Sequence, residues 1–225
     1  MQKNVEKMSI NYSPNFNLRK RSSLKVKYII FHYTGMKSEK GAIKRLTNNN
    51  SGVSCHYFIK RNGKIVKIVP DLYIAWHAGI SSWKQDKFLN SNSIGIEISN
   101  PGHKNGYSNF SPGQIKSVIS LSKKLKKKYK IKKKNILGHS DIAPLRKKDP
   151  GEKFPWKVLY KNKLCLWHNL SEQHCKKLRN IKLNDSKKFY KLLFKFGYKS
   201  TNKLYDKIKI YKNFQRRFRP QIISS

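Results

Sequence analysis

The stretch VKYIIFHYTG, at residues 26–35, predicts a central element of the fold. Its β-branched and aromatic side chains favour a buried strand, and Thr34 and Gly35 end the run. His32 follows the apolar residues, and a histidine at the end of a strand points into a site rather than into a loop. The sequence therefore predicts a buried strand that presents an imidazole to a functional site.

A second stretch, GHSDIAPLRKKDPG at residues 138–151, sets His139 and Asp149 ten positions apart. A catalytic zinc ion takes three nitrogen or oxygen ligands from the protein and leaves its fourth position to water. This stretch supplies two such ligands, and His32 is the best candidate for the third. A single histidine at a strand end is more often a hydrogen-bonded core or surface group, so the prediction of one zinc ion per chain depends on the three residues together.

Shorter patterns predict a mixed α/β domain. In the stretch SIGIEIS, at residues 93–99, the isoleucines share one face of a strand and Glu97 lies on the other. An Asn-Gly turn at residues 62–63 predicts a hairpin, and Ser111-Pro112-Gly113-Gln114 predicts a helix start with a capping box. Strands are expected near residues 26–33, 55–60, 65–69, 94–99 and 135–137.

Four further segments accompany the two stretches between about Ile29 and Trp156: VSCHYFI at 53–59, AWHAG at 75–79, SIGIEI at 93–98 and FPW at 154–156. Together and in this order, they resemble the zinc-dependent N-acetylmuramoyl-L-alanine amidases of the amidase-2 type. The resemblance implies a mixed central β-sheet flanked by helices, the fold that these enzymes share with peptidoglycan recognition proteins.

The resemblance also implies roles for individual residues. It identifies His32, His139 and Asp149 as zinc ligands and Glu97 and Lys147 as the catalytic pair. It is greatest for the subgroup that cleaves muropeptides and keeps Arg146-Lys147 just before the metal carboxylate.

These roles agree with the chemistry of amide hydrolysis. A carboxylate such as Glu97 can take a proton from the zinc water and pass it to the leaving amine, and an ammonium such as Lys147 can stabilise the developing oxyanion. Without their neighbours, Glu97 would be interpreted as a solvent-facing strand residue and Lys147 as one of fifty-one basic side chains.

Substrate contacts are expected at four positions, Tyr57, Trp76, His77 and Arg146. His77 has two open interpretations, a contact to the sugar peptide or a packed ring, and His56 is interpreted as a packing residue.

The expected function is hydrolysis of the amide bond between N-acetylmuramic acid and L-alanine in peptidoglycan or muropeptides, in cell-wall turnover or recycling. The alternative is a non-catalytic muropeptide-binding protein. Members that lose zinc ligands become binders, whereas all three ligand positions and Glu97 are present here. The size of the substrate, polymer or soluble anhydro-muropeptide, stays open.

The charge of the chain is strongly positive, with 51 Lys and Arg against 11 Asp and Glu and a formal net charge of +40. This excess is typical of proteins with an anionic partner, such as nucleic acid, an acidic membrane surface or a cell-wall polymer. An AT-rich coding sequence would produce the same scattered lysines. Since no nucleic-acid-binding motif accompanies the charge, specific nucleic-acid binding is not expected.

Three cysteines, Cys55, Cys165 and Cys175, are too few for a disulfide framework and favour a reducing compartment. Cys165 and Cys175, with His168 and His174, have two interpretations, a structural zinc site or a linker and helix start. No segment has the composition of a signal peptide or a membrane span, so a cytoplasmic location is expected. Export to the periplasm or cell wall by a nonstandard route is the alternative.

Four regions are expected along the chain: a lead-in at 1–24, the zinc amidase domain at 25–160, a linker at 161–186 and a small helical region at 187–225. The last region resembles the peptidoglycan-binding module that follows the catalytic domain in related amidases. A helical prop against the catalytic domain is the equal alternative. The oligomeric state stays open.

Overall fold

The computed structural model describes residues 9–178 and 185–223. Its ten strands are β1 (Ser9–Ile10), β2 (Phe16–Asn17), β3 (Tyr28–Tyr33), β4 (Tyr57–Ile59), β5 (Ile65–Lys67), β6 (Ile74–Ala75), β7 (Ser82–Trp83), β8 (Asp86–Lys87), β9 (Ser93–Ile98) and β10 (Ile136–Gly138). Its seven α-helices are α1 (Glu39–Thr47), α2 (Pro112–Lys128), α3 (His139–Ile142), α4 (Trp156–Lys161), α5 (Glu172–Leu178), α6 (Ser186–Phe196) and α7 (Leu204–Phe218).

Six strands form one mixed sheet in the order β1-β5-β4-β9-β3-β10. The strands β4, β9, β3 and β10 run parallel to one another, and β5 is antiparallel to β4. The carboxyl ends of the four parallel strands therefore meet at one edge of the sheet, where parallel sheets commonly place their ligands. The predicted fold class, a mixed sheet flanked by helices, is confirmed.

Two local sequence signals are confirmed in atomic detail. Gly63 has a φ of +86°, and a Cβ added there would lie 2.6 Å from the carbonyl oxygen of Gly113, so only glycine fits this turn. At the start of α2, the Ser111 hydroxyl accepts from the Gln114 backbone N–H, and the Gln114 side chain accepts from the Ser111 backbone N–H. This reciprocal pair is the predicted capping box.

The sheet buries both of its faces. Along β3, Ile29 and Phe31 pack with residues of α2 and α4, whereas Tyr28 and Ile30 pack with residues of the C-terminal helices, among them Leu193 and Ile210. Alternate residues of a strand face opposite sides, so one apolar run serves two layers. Burial of a Leu or Ile side chain contributes about 1.5–3 kcal/mol each, so α6 and α7 stabilise the second face of the sheet.

Parts of the predicted regions lie outside the described residues: 1–8 of the lead-in, 179–184 of the linker and 224–225 at the end. The division of the chain at 24, 160 and 186 stays a prediction. Within the described residues, no helix combines the length and apolar composition needed to cross a bilayer.

Candidate active site

Three of the predicted residues meet at the carboxyl edge of the parallel strands. His32 comes from the end of β3, His139 begins α3 directly after β10, and Asp149 lies in the loop beyond α3. His32 Nδ1 is 2.9 Å from His139 Nδ1, and Asp149 Oδ2 is 3.1 Å and 3.0 Å from these two nitrogens. Tetrahedral ligands at zinc bond lengths are separated by about 3.3 Å, so this triangle has the spacing of a metal site.

The outer nitrogens of both histidines determine which atoms carry protons. His139 Nε2 lies 3.1 Å from the Ala78 carbonyl oxygen and 3.4 Å from Arg146 Nη2. In the neutral tautomer that donates from Nε2 to this carbonyl, Nδ1 presents a lone pair. For His32, the Ser93 hydroxyl donates to the Leu89 carbonyl and therefore accepts from His77 Nε2. His77 Nδ1 then accepts from His32 Nε2 at 3.0 Å, which leaves a lone pair on His32 Nδ1.

In these neutral tautomers, both Nδ1 atoms and Asp149 Oδ2 direct lone pairs toward one point. Such a set is repulsive by itself and fits a cation at its centre. Burial, with a smaller contribution from the charge of His139, lowers the pKa of His32 to about 4, so this ring is neutral at pH 7. Burial would raise the pKa of Asp149, but the two histidines outweigh it and hold that pKa well below its ordinary value. Both groups are therefore in the form that binds metal.

Glu97 lies beside the triangle, because β9 pairs with β3 in a register that sets Glu97 opposite His32. Its Oε2 atom is buried and makes no hydrogen bond within the described residues. Desolvation, with a smaller contribution from the charge of Asp149, raises the pKa of Glu97 to about 8. A carboxyl group that can hold or release a proton near neutral pH has the property that a general acid and base needs.

Lys147 and Arg146 precede Asp149 in the loop and line the same cavity, whose volume is about 550 Å³. The charge of Lys147 lowers the pKa values of both Glu97 and His32, which line the same cavity. The Arg146 guanidinium donates to the carbonyl oxygens of Ala78 and Ile80, with a distance of 2.8 Å to the latter. These carbonyls occupy Nε and Nη2, and the predicted contact of Arg146 to substrate stays a prediction.

His77 and Trp76 also line the cavity. His77 is buried behind His32, and a Cβ at Gly95 would lie 2.4 Å from the His77 ring, so Gly95 makes room for it. The structure thus shows His77 as a packed ring that orients His32, and its contact to substrate stays open. Trp76 is 37% exposed, and its indole N–H donates to Asn17 Oδ1 at 2.8 Å. Its exposed face is available to a ligand.

Tyr57 is placed away from this cavity. It packs in the cluster formed with α2 and α4, and its hydroxyl donates to Asp71 Oδ1 at 2.5 Å. The sequence segment around Tyr57 matches the predicted family, but strand alternation turns this side chain to the α2 side of the sheet. Tyr57 is not among the residues that line the cavity, and its predicted contact to substrate stays a prediction. His56 is buried and hydrogen-bonded to the Gly95 backbone N–H, in agreement with its interpretation as a packing residue.

Two cavity residues were not anticipated from the sequence. Tyr33 ends β3, and its hydroxyl lies 2.9 Å from His103 Nδ1, while His103 Nε2 contacts the Glu152 carboxylate at 3.1 Å. The signal for them was weak: Pro101-Gly102 follows β9, and loops after parallel strands commonly line binding sites.

The second group considered for metal does not assemble. All three cysteines are free, Cys165 is buried with its thiol against the Trp156 carbonyl oxygen, and His174 bonds locally to Ser171. Across residues 9–178 and 185–223, His32, His139 and Asp149 are the only group of His, Cys, Asp and Glu side chains with the spacing of a metal site. A structural zinc site at Cys165, His168, His174 and Cys175 is therefore not supported.

Comparison with known proteins identifies the family to which this chain belongs. The family model described as N-acetylmuramoyl-L-alanine amidase matches residues 22–152. N-acetylmuramoyl-L-alanine amidase AmiD of Escherichia coli is 38% identical over 155 residues, which are 64% of this chain and 55% of AmiD. The 1,6-anhydro-N-acetylmuramyl-L-alanine amidase AmpD of Haemophilus influenzae is 40% identical over 105 residues, 46% of this chain and 55% of that protein. The chain thus spans about half the length of these curated relatives.

Two solved structures share the fold over most of the chain. AmiD from E. coli, in complex with anhydro-N-acetylmuramic acid-L-Ala-D-γ-Glu-L-Lys, superposes with a TM-score of 0.78 and 30% identity, covering 91% of this chain and 85% of that one. AmpDh3 from Pseudomonas aeruginosa, in complex with anhydromuramic pentapeptide, has a TM-score of 0.78 and 28% identity, covering 91% of this chain and 86% of that one. Since the family model spans more than half of the residues, the chain belongs to the N-acetylmuramoyl-L-alanine amidase family.

Proposed function

We propose that this protein is a zinc-dependent N-acetylmuramoyl-L-alanine amidase, which hydrolyses the amide bond between the lactyl group of N-acetylmuramic acid and L-alanine. The observation that carries the proposal is the convergence of three potential ligand atoms, His32 Nδ1, His139 Nδ1 and Asp149 Oδ2, beside the carboxyl oxygen of Glu97 that has no partner in the described residues. A purely structural site would have no use for a buried, unpartnered carboxyl group next to a metal triangle.

A zinc ion held by these three residues would supply Lewis acidity and a water of pKa near 7. Glu97 would take the proton of the attacking water as general base, because its raised pKa lets it hold that proton near neutral pH. It would then deliver the proton to the nitrogen of L-alanine as the C–N bond breaks. The water oxygen ends in the lactyl carboxylate, so atoms balance with water as the only co-reactant.

Lys147 would stabilise the oxyanion that forms on the scissile carbonyl. Its side chain lines the same cavity as Glu97 and His32, so its ammonium can act on the negative charge that develops there. Removal of one such donor from an oxyanion site typically costs about 10²–10³ in turnover.

The substrate class follows from the cavity and from the relatives. Several cationic side chains line the cavity in addition to Lys147: Arg45, Lys104, Arg146 and Lys148. These charges suit a stem peptide with free carboxylates, such as the D-γ-Glu peptide bound to AmiD. Because AmpD relatives are named for 1,6-anhydro-N-acetylmuramyl-L-alanine, we propose soluble anhydro-muropeptides as the substrate, with cell-wall recycling in the cytoplasm as the setting.

The proposal is tested by product analysis. The zinc-loaded full-length protein is incubated with anhydro-N-acetylmuramic acid-L-Ala-D-γ-Glu-L-Lys in heavy-oxygen water, and the products are identified by mass spectrometry. We expect free tripeptide and anhydro-N-acetylmuramic acid with the heavy oxygen in its lactyl carboxylate. Saturable binding of an intact substrate would instead support the non-catalytic muropeptide-binding protein. Intact sacculi are assayed in parallel. A clear preference for sacculi over the soluble substrate would overturn the recycling proposal.

A further inference from the structure

One face of α7 holds the loop that carries Lys147. The Asn213 side-chain amide is buried and donates from Nδ2 to the carbonyl oxygens of Pro144 at 2.7 Å and Lys147 at 3.2 Å. One turn earlier, Lys209 Nζ donates to the Leu145 carbonyl oxygen at 3.0 Å. A single helix therefore binds three of the four carbonyls from Pro144 to Lys147.

Apart from the Arg146 side chain, which donates to the Ala78 and Ile80 carbonyls, the loop is held from within by one turn. After α3 ends at Ile142, the backbone N–H groups of Arg146 and Lys147 both donate to the Ala143 carbonyl oxygen, at 3.2 Å and 3.0 Å. This turn fixes the inner side of the loop, and no strand pairs with it. On the outer side, the α7 donors bind the backbone carbonyls of the loop, including that of Lys147 itself.

The Asn213 amide is itself held in place. Its Oδ1 accepts from Arg216 Nη1 at 2.9 Å, and Arg216 Nε is paired with Glu152 Oε2 at 3.2 Å, three residues after Asp149. Because Oδ1 is occupied by a donor, the Nδ2 end of the amide must face the loop.

The next residue anchors the other end of the same segment. The Arg217 guanidinium is buried, pairs with Asp141, and lies 4.1 Å over the Trp156 ring. Asp141 in turn accepts from the backbone N–H of Gly138, directly before His139. Residues 213, 216 and 217 share one helix face, so α7 anchors the segment 138–152 near both of its ends.

We propose that Asn213 is a positioning residue of the active site: its two hydrogen bonds set the backbone of Lys147 so that the ammonium reaches the scissile carbonyl. The proposal rests on the function proposed above. It makes the C-terminal helix part of the catalytic architecture, in addition to its cover of the sheet.

The test uses the full-length chain with Asn213→Asp, which keeps the shape of the side chain and removes both donors. Asn213→Ala removes the amide without adding a carboxylate, and Lys209→Met removes only the bond to Leu145. Lys212→Ala, on the exposed side of the same helix, is the matched control. Each variant is measured for kcat, KM, zinc content and backbone hydrogen exchange.

We expect Asn213→Asp to lower kcat about tenfold or more with KM within about twofold and one zinc per chain, since the metal ligands are untouched. In a Lys147→Ala background, the same substitution should have no further effect on kcat. An equal loss in both backgrounds would overturn the proposal, because Asn213 would then act through general stability. Lys209→Met should show a smaller loss of the same kind.

Backbone hydrogen exchange measures the stability of the loop and does not require amidase activity. The backbone N–H groups of Arg146 and Lys147 should exchange faster in Asn213→Asp and Asn213→Ala, while those of β3 and the Lys212→Ala control stay unchanged. Unchanged exchange at the loop would overturn the positioning role even if the protein proves to be a binder. Faster exchange in a protein without amidase activity would support the hydrogen-bonding role of Asn213 at the loop and contradict only the proposed function.

Discussion

Two partly or fully buried carboxyl groups of this protein lie in opposite surroundings. Asp71 accepts from the hydroxyls of Tyr57 at 2.5 Å and Tyr129 at 2.7 Å and from Lys128 Nζ at 2.9 Å. Glu97 leaves its buried Oε2 without a partner in the described residues. Burial alone would raise both pKa values, but the partners of Asp71 hold its pKa well below the ordinary range, whereas that of Glu97 rises to about 8.

The contrast separates structure from chemistry. A carboxylate whose oxygens are saturated by donors stabilises the fold and has no capacity left for a substrate. A carboxyl group kept without donors costs stability and is retained where a proton must move. The Asp71 cluster is therefore interpreted as structural. The carboxyl edge of the parallel strands, with Glu97 and the triangle of His32, His139 and Asp149, is interpreted as functional and is called the functional edge below.

The largest effect is expected when the functional edge loses a metal ligand. His139→Ala should lose zinc and lower amidase activity on the order of 10³-fold or more, because three ligands are the minimum for this site. Zinc content is measured by atomic emission and activity by release of the peptide. Full activity in this variant, or in His32→Ala or Asp149→Ala, would contradict the ligand set.

Glu97→Gln should separate metal binding from catalysis. We expect zinc content near that of the wild type and a loss of activity of about 10²-fold or more, as for removal of a general base. Thermal stability should be equal or higher, since an unpartnered buried carboxyl group disappears. Loss of zinc in step with activity would identify Glu97 as a ligand instead.

Ser93→Ala tests which ring nitrogens carry protons in the chain of hydrogen bonds from Ser93 through His77 to His32. The Ser93 hydroxyl accepts from His77 Nε2 and so fixes the lone pair on His32 Nδ1. Loss of a direct partner of a metal ligand typically lowers metal affinity about 10- to 100-fold, and Ser93 acts on His32 through His77, so Ser93→Ala should lower zinc affinity by no more than this. A zinc dissociation constant equal to that of the wild type, from competition with a chelating dye, would exclude this proton order.

Asp71→Asn should affect only the fold. Two tyrosine hydroxyls and Lys128 lose a charged acceptor, so the free energy of unfolding in urea should fall by about 1–3 kcal/mol. Zinc content and kcat of the folded protein should match the wild type. A fall in kcat without a fall in stability would place Asp71 in the functional region and remove the contrast.

The smallest effect is the pH dependence of the difference in free energy of unfolding between the wild type and Asp71→Asn. The folded-state pKa of Asp71 lies below its unfolded value of about 3.9, so its contribution is complete above that pH. It is lost as the pH falls through the folded-state pKa. The stability gap between wild type and Asp71→Asn should therefore be full at pH 7 and smaller at about pH 3. A gap that stays constant or widens in acid would show that the carboxylate is not the stabilising form.

The sequence predicted that His32, His139 and Asp149 lie together because its signals are local. His32 follows an apolar strand and His139 and Asp149 share one short stretch, so strand order alone brings them together. The capping box at Ser111 and the turn at Gly63 were equally local.

The rest depended on contacts between distant residues. Asn213 bonds to Lys147 across 66 positions and Arg217 to Asp141 across 76, and nothing near either residue in the sequence announces its partner. Tyr57 was assigned to the site from its motif, yet the side of the strand that it faces depends on how the sheet packs against α2. The sequence predicted a helical region at 187–225 and offered a prop against the catalytic domain as one alternative, but it could not predict that α6 and α7 cover the second face of the sheet.

The central claim, that one zinc ion at His32, His139 and Asp149 makes this chain an amidase, is tested most directly by metal titration. Zinc is removed with a chelator, returned in fractions of an equivalent, and hydrolysis of anhydro-N-acetylmuramic acid-L-Ala-D-γ-Glu-L-Lys is followed at each step. Activity should rise from near zero in proportion to added zinc and reach its plateau at one ion per chain. Full activity in the chelated protein, or no hydrolysis once one zinc ion per chain is bound, would contradict the claim.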